Sequence, residues 1–367
     1  MGIRQYKDLY YPPDTMEVCE KNIDDFFNFI YERHMTWRRR FIDKLPKEQW
    51  TENLILKNYK YTNVYRELDR GTLWYLKNIA EPFVKEYDGV QHSWQMVRSD
   101  STYLFKKLVW ETVLYRLCNR IETFERIGIP NVNDYNHDEL HNKFWEKMHE
   151  IELDGKSVMT SAHLTCPTTF GRTKVEGYIE AINDLHKKLD VLVEDILKCR
   201  TSEKVFNELK SIHCVGNFIA YEVLCDLMYT QSIGYNGVPF KEDDWANVGP
   251  GAFEGIRLLY PSTTGKRNIY ARMVQLRDEQ DIHFKRLGII FPYYEKFTKG
   301  HLSLRTSEHD LCEYSKFWLQ NRGLGKQRMI FNADQNRIVE KIENGKQVKY
   351  RIIVDPDTGD SIKKIYL

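Results

Sequence analysis

Three stretches of the sequence carry side chains whose types and spacing suit phosphate and proton chemistry. In Tyr59–Arg70, Asn63, Arg66 and Arg70 recur at i, i+3 and i+7. That spacing predicts one narrow face of a helix, with Val64, Leu68, Tyr75 and Ile79 on the buried side and Thr62 as its cap. An amide beside two guanidiniums grips a phosphate, or a base edge and a phosphate, in forked geometry, and Asp69 would orient one arginine. A solvated helix face with a single Asp–Arg pair has the same spacing. In the second stretch, Asp243–Ala252, Gly249 and Gly251 precede a helix containing Ile256 and Leu259. Glycines there let the backbone approach an anion, and the helix dipole favours negative charge. A structural turn that merely starts a helix reads alike. In the third, Glu308–Phe317, His309 shares a face with Glu313, and Cys312 shares one with Lys316. Glu313 and Lys316 form either an acid and base for proton transfer or a surface ion pair.

A fourth stretch suits DNA. Leu209, Ile212, Val215 and Gly216 lead into an apolar helix with Phe218, Tyr221, Glu222 and Cys225, which suggests a helix–hairpin–helix near 206–229. In such a unit the N–H groups at the turn and second helix, here Val215, Gly216 and Asn217, point at a DNA phosphate. The usual hairpin has glycine at both ends of its apolar turn residue, and Cys214 replaces the first. An ordinary helical turn is the other reading.

Helices must position these groups. Ile23, Phe26, Phe27, Ile30, Tyr31, Trp37 and Phe41 recur near helical spacing after a cap at Asn22, and 101–126, 174–199, 201–211, 217–229 and 308–321 behave similarly. Ile129–Asn136 and Gly234–Gly251 read as loops. The end of the chain changes character: Val339–Ile342, a turn at Glu343–Lys346, Val348–Val354, a second turn at Asp355–Asp360 and a last strand near Ile362–Leu367. The fold expected is mainly α, with a helical domain over 1–330 and a small β tail over 331–367.

Composition sets the limits. Hydrophobic residues are 42% and charged residues 29% of 367, as in a soluble globular protein. The net charge of +1 means that a DNA-binding face would need its basic groups gathered locally, as at Arg38–Arg40 or at Arg322, Lys326 and Arg328. The 23 tyrosines and 8 tryptophans suit base stacking or a core. Seven scattered cysteines, Cys166 among them, have neither C-x-x-C nor zinc-like spacing, so free thiols and no metal are expected. No long apolar run or signal peptide is visible, which points away from a membrane and towards the cytoplasm.

Several short motifs stand in order along the chain: Glu32-Arg33 with Arg39, Trp50-Thr51, Tyr61-Thr62-Asn63-Val64-Tyr65-Arg66-x-x-Asp69-Arg70, Val215-Gly216-x-Phe218-x-Ala220-Tyr221, Cys225-Asp226-Leu227, Gly249-Pro250-Gly251-Ala252-x-x-Gly255 and Leu311-Cys312-Glu313-x-x-Lys316. Over roughly 20–330 this set resembles the phage amino acid:DNA transferases, also described as α-glutamyl/putrescinyl thymine pyrophosphorylases, a domain that also occurs beside hydroxymethyluracil DNA kinases. The resemblance implies a fold like that of helix–hairpin–helix DNA glycosylases. It implies a transferase that replaces the phosphate of phosphorylated 5-hydroxymethyluracil with an amine such as glycine, shielding viral DNA from restriction. The partners implied are double-stranded DNA bearing that base, a free amino acid or amine, and a functional link to a hydroxymethyluracil DNA kinase, without a cofactor, in the cytoplasm of the infected host.

In that reaction Arg66, Asp69, Asp226, Asp244 and Glu313 would form the catalytic set, with Asp226 or Asp244 taking the amine's proton. Asn63, Arg70, Gly249, Gly251 and Lys316 would bind the phosphate, and Val215, Gly216, Asn217 and Arg39 the DNA. This chain departs from the family at Cys214 and at Gly323-Leu324-Gly325-Lys326, where the family carries a Gly-Glu-Gly-Arg-like stretch. Two rival readings are a glycosylase excising a modified pyrimidine and a non-enzymatic binder of modified DNA. A kinase is a third, but the nearest phosphate-binding loop, Gly155-Lys156-Ser157, has Glu150 where the upstream glycine belongs.

Overall fold

Apolar residues at helical spacing run through most of the chain, and the computed structural model folds them into helices around one core. It describes residues 16–91, 98–136, 143–160, 173–235, 240–294, 300–324, 337–343, 346–354 and 361–366. Cys166, Gly325, Lys326, Arg328 and the turns at 344–345 and 355–360 lie outside the described residues.

The first long helix, α1 (Met16–Phe41), buries Phe26, Phe27, Phe29 and Ile30. Asn22 does not cap it: it lies inside the helix, and its amide donates to the Leu258 carbonyl at 2.7 Å. A 3₁₀ turn (Lys47–Gln49) leads to α2 (Leu54–Asn58), started by the Asn53 side chain, which accepts from the N–H groups of Ile55 and Leu56. A second 3₁₀ turn (Arg66–Leu68) is followed by α3 (Arg70–Tyr75), a π turn (Leu76–Ala80) and α4 (Glu81–Gln91).

The centre of the molecule is α5 (Arg98–Cys118), where Leu108, Val109, Trp110, Val113 and Leu114 are wholly buried. The single helix predicted over 101–126 is two, because Asn119 turns left-handed at φ 47° before α6 (Ile121–Ile127). Asparagine tolerates that conformation better than most residues. After α7 (Lys143–Leu153), α8 (Lys174–Lys198) begins with a reciprocal capping box between Thr173 and Glu176. Next come α9 (Ser202–Leu209), a turn and α10 (Asn217–Tyr229), followed by a 3₁₀ turn (Thr230–Ile233). Both α8 and α10 pack on α5.

The last helices are α11 (Pro250–Leu259), α12 (Lys266–Asp278), α13 (Gln280–Arg286) and α14 (Leu304–Asn321). The most extensive helix pair is α11 with α14, and α1 packs on both. Three strands close the chain, β1 (Arg337–Glu343), β2 (Lys346–Val354) and β3 (Ser361–Tyr366), antiparallel in the order β1-β2-β3. Among the described residues, no helix is long and apolar enough to cross a membrane.

Candidate active site

The Tyr59–Arg70 stretch is not the helix its spacing predicts. Residues 60–63 are irregular, and helical backbone starts with the 3₁₀ turn at Arg66 and with α3 at Arg70. Short polar side chains compete with the helix here. Asp69 Oδ1 accepts from the Asn63 N–H at 2.8 Å, and the Asn63 amide donates to the Leu68 carbonyl at 2.9 Å, which closes the segment into a loop. Asn63 is thereby committed to its own backbone. The two arginines part company: Arg70 reaches Glu122 on α6 at 2.8 Å, whereas Arg66 turns towards α10 and α14.

Arg66 is held from two sides. Its Nε lies 2.5 Å from Asp69 Oδ2 and its Nη2 lies 3.8 Å from Glu222 Oε2, with 18% of the side chain exposed. The same guanidinium acts electrostatically on Glu308, Cys312, Glu313 and Lys316, the polar side of α14. Lys316 is 55% exposed and pairs with buried Glu313 at 2.8 Å.

The glycine turn meets α14 at the same place. Gly249 donates its N–H to Glu308 Oε1 at 3.3 Å. A Cβ on Gly251 would overlap Cys312 Sγ, and one on Gly255 would lie 2.5 Å from the Leu311 carbonyl oxygen. These glycines therefore let α11 press against α14, and the group facing the start of α11 is a carboxyl of the protein itself. The two residues that meet this turn, Glu308 and Cys312, are also under the electrostatic influence of Arg66.

Burial shapes the protonation of this cluster. It pushes the Glu308 carboxyl up to about 8, with Glu222 adding to the rise and the Gly249 N–H opposing it. It also pushes Asp310 up to about 7 against the pull of Arg33, with which Asp310 is paired. Burial works to raise Glu222 as well, but Arg116 and Arg66 outweigh it and hold that carboxyl below the usual range. Burial lowers His309 to about 4, so its ring is neutral at pH 7. His309 Nε2 stands 3.7 Å from Glu222 and 3.8 Å from Glu308. Among the described residues, no group of side chains has the make-up of a metal site.

Other expected site residues lie elsewhere. Asp226 is wholly buried with both carboxylate oxygens on Arg116, so it is not open to an incoming amine. Asp244 is exposed and accepts from the Lys241 N–H at 2.8 Å, closing its own turn. Arg39 donates to the Trp50 carbonyl at 2.9 Å and lines a cleft of about 590 Å³ with Glu32, Glu48 and Glu52, surroundings that repel phosphate. Val215 is buried, while Gly216 and Asn217 are exposed where α10 starts. Cys214 adopts φ 63°, the left-handed conformation that glycine takes at least cost.

Sequence reasoning missed Arg116, which donates to Glu222 at 3.0 Å and grips Asp226, and it did not see Glu308 as the acid beside Gly249. One signal was available: charged residues embedded in apolar helices are almost never buried unless paired, and Arg116, Glu222 and Asp226 all sit in such runs.

Every residue of this cluster falls within 20–323, the span over which the chain matches the family described as "5-hmdU DNA kinase, helical domain". The chain belongs to that family. It is 29% identical over 309 residues to a protein of Bacillus phage SP10 named 5-hmdU DNA kinase, an alignment covering 80% of this chain and 44% of that protein. The chain thus matches less than half of the relative's length. No solved structure matches. The strands β1–β3 lie beyond the family span. Within it, Gly155-Lys156-Ser157 follows α7 rather than a strand, and Gly155, at φ 69°, ends that helix with an N–H to the Glu152 carbonyl. A phosphate-binding loop instead joins a strand to the start of a helix.

Proposed function

We propose that this helical domain acts in phage thymine hypermodification, on DNA whose 5-hydroxymethyluracil has been phosphorylated, and transfers an amine to the 5-methylene carbon. The observation that carries the reading is Arg66, partly exposed and paired with Asp69 and Glu222, whose charge acts on Lys316 and on a carboxyl pushed up to about 8. The family supports it: the SP10 relative is named for a kinase of 5-hmdU DNA, and the product of such a kinase is the substrate required here.

In this reading the start of α10 at Gly216 and Asn217 docks on a DNA phosphate, and the target base leaves the stack at a cost of a few kcal/mol. Arg66 and Lys316 hold the base's phosphate and take up the negative charge that develops on it. The neutral amine forms the new C–N bond as the C–O bond to phosphate breaks, and inorganic phosphate departs with the bonding pair. Glu308, in its ionised form, accepts the proton that the amine sheds; a pKa near the working pH suits a general base. It takes the role that sequence reasoning gave to Asp226 or Asp244.

The test is to incubate the protein with DNA carrying 5-phosphomethyluracil and a mixture of amino acids and amines, then weigh the released nucleosides. The expected result is a heavier nucleoside in an intact strand, lost by at least about 100-fold in Arg66→Ala with the fold retained. An abasic site and a free base would establish a glycosylase instead, and binding without product would leave a recognition module.

A further inference from the structure

The Glu222 carboxylate is shared. Its Oε2 accepts from Arg116 Nη1 at 3.0 Å and lies 3.8 Å from Arg66 Nη2, and its Oε1 is 3.7 Å from His309. Arg116, from α5, spans Glu222 and Asp226, one turn apart on α10. Both carboxylates are buried, so neither is free to swing towards solvent. Glu222 is thereby clamped before Arg66 arrives. Arg66 approaches it from the loop ahead of α3, with its Nε on Asp69. Two carboxylates held in place, one at Nε and one near Nη2, restrict how the planar guanidinium of Arg66 is oriented.

We infer that Arg116 and Glu222 are positioning residues that orient the Arg66 guanidinium, and that this relay lets the site distinguish a phosphorylated base from an unphosphorylated one. The inference rests on the reading of Arg66 as the phosphate-holding group. Without Glu222 the guanidinium keeps its charge and its Asp69 contact but loses its second anchor. Attraction to DNA in general survives, while the directional bond to the base's own phosphate weakens.

The experiment measures the dissociation constants of two duplexes that differ only in one base, 5-phosphomethyluracil or 5-hydroxymethyluracil, for the full chain and for Glu222→Gln. Wild type is expected to favour the phosphorylated duplex by roughly 100-fold, and Glu222→Gln to lose roughly tenfold of that preference while its affinity for the hydroxymethyl duplex holds. Glu222→Asp, which keeps the charge, restores part of the preference. Because Glu222→Gln also removes a partner of buried Arg116, Asp69→Asn is measured in parallel. It loosens Arg66 from the other side, leaves the clamp intact, and is expected to shift the ratio in the same direction. An unchanged ratio in both variants overturns the relay while leaving Arg66 as the phosphate group. Equal loss for both duplexes makes Glu222 merely structural and also overturns it. A wild type that binds the two duplexes alike overturns the phosphate reading itself, and the relay with it.

Discussion

Two glycine-bearing helix starts look interchangeable in the sequence and end in opposite situations. At the start of α11, Gly249 gives its N–H to Glu308, and Gly251 and Gly255 sit where α14 leaves no room for a Cβ. At the start of α10, Gly216 has open space around its Cβ position, and its neighbours Asn217 and Phe218 are exposed. The first is a contact between helices; the second is a bare helix start facing solvent. A glycine ahead of a helix thus signals close approach, but what approaches is decided by the rest of the fold.

The largest effect expected from this contrast is on stability. Gly255→Ala drives a Cβ to 2.5 Å from the Leu311 carbonyl oxygen and should cost about 3 kcal/mol in urea unfolding, whereas Gly216→Ser should change stability by under about 0.5 kcal/mol. Comparable losses in the two variants would break the comparison.

The next effect concerns the carboxyl that faces α11. Glu308 in the fold binds its proton up to about pH 8, far above the ordinary glutamate value of 4.5, so the folded state holds more protons than the unfolded one between those values. Stability therefore falls as pH rises through that window. Removing the titrating group with Glu308→Gln should shrink the loss between pH 5 and pH 8 by about 2 kcal/mol, read from denaturation at each pH. An unchanged pH slope would mean that Glu308 keeps an ordinary carboxylate pKa, and would remove the match to working pH on which its role as general base rests.

The smallest effect belongs to the exposed turn. Cys214, a non-glycine residue at φ 63°, carries backbone strain that Cys214→Gly relieves, for a gain of about 1 kcal/mol in unfolding free energy. A loss instead would show that the thiol side chain, half-buried against the core, contributes more by packing than the strain costs.

Much of the helical frame was legible because helical periodicity is a local property. The stretches 174–199 and 217–229 correspond to α8 (Lys174–Lys198) and α10 (Asn217–Tyr229), and the apolar positions of α1 form part of the core. The 59–70 stretch failed for an equally local reason, since Asn63 and Asp69 spend their side chains on nearby backbone. For the site, the segments were legible and the partners were not. Arg66, Gly249, Cys312, Glu313 and Lys316 were all singled out, yet Arg70 faces Glu122 and Asp226 is sealed by Arg116.

The order and spacing of residues by themselves determined which segments become helices, where chain direction changes, and that the chain carries the motifs of one family. These depend on interactions within a few residues. Only the tertiary structure decided that Glu222 is held by an arginine 106 positions away, that a glycine turn meets Glu308 from a distant helix, and that burial leaves this acid protonated near neutrality. Desolvation and ion pairing depend on what surrounds a group in space, and those surroundings exist only once the helices have packed.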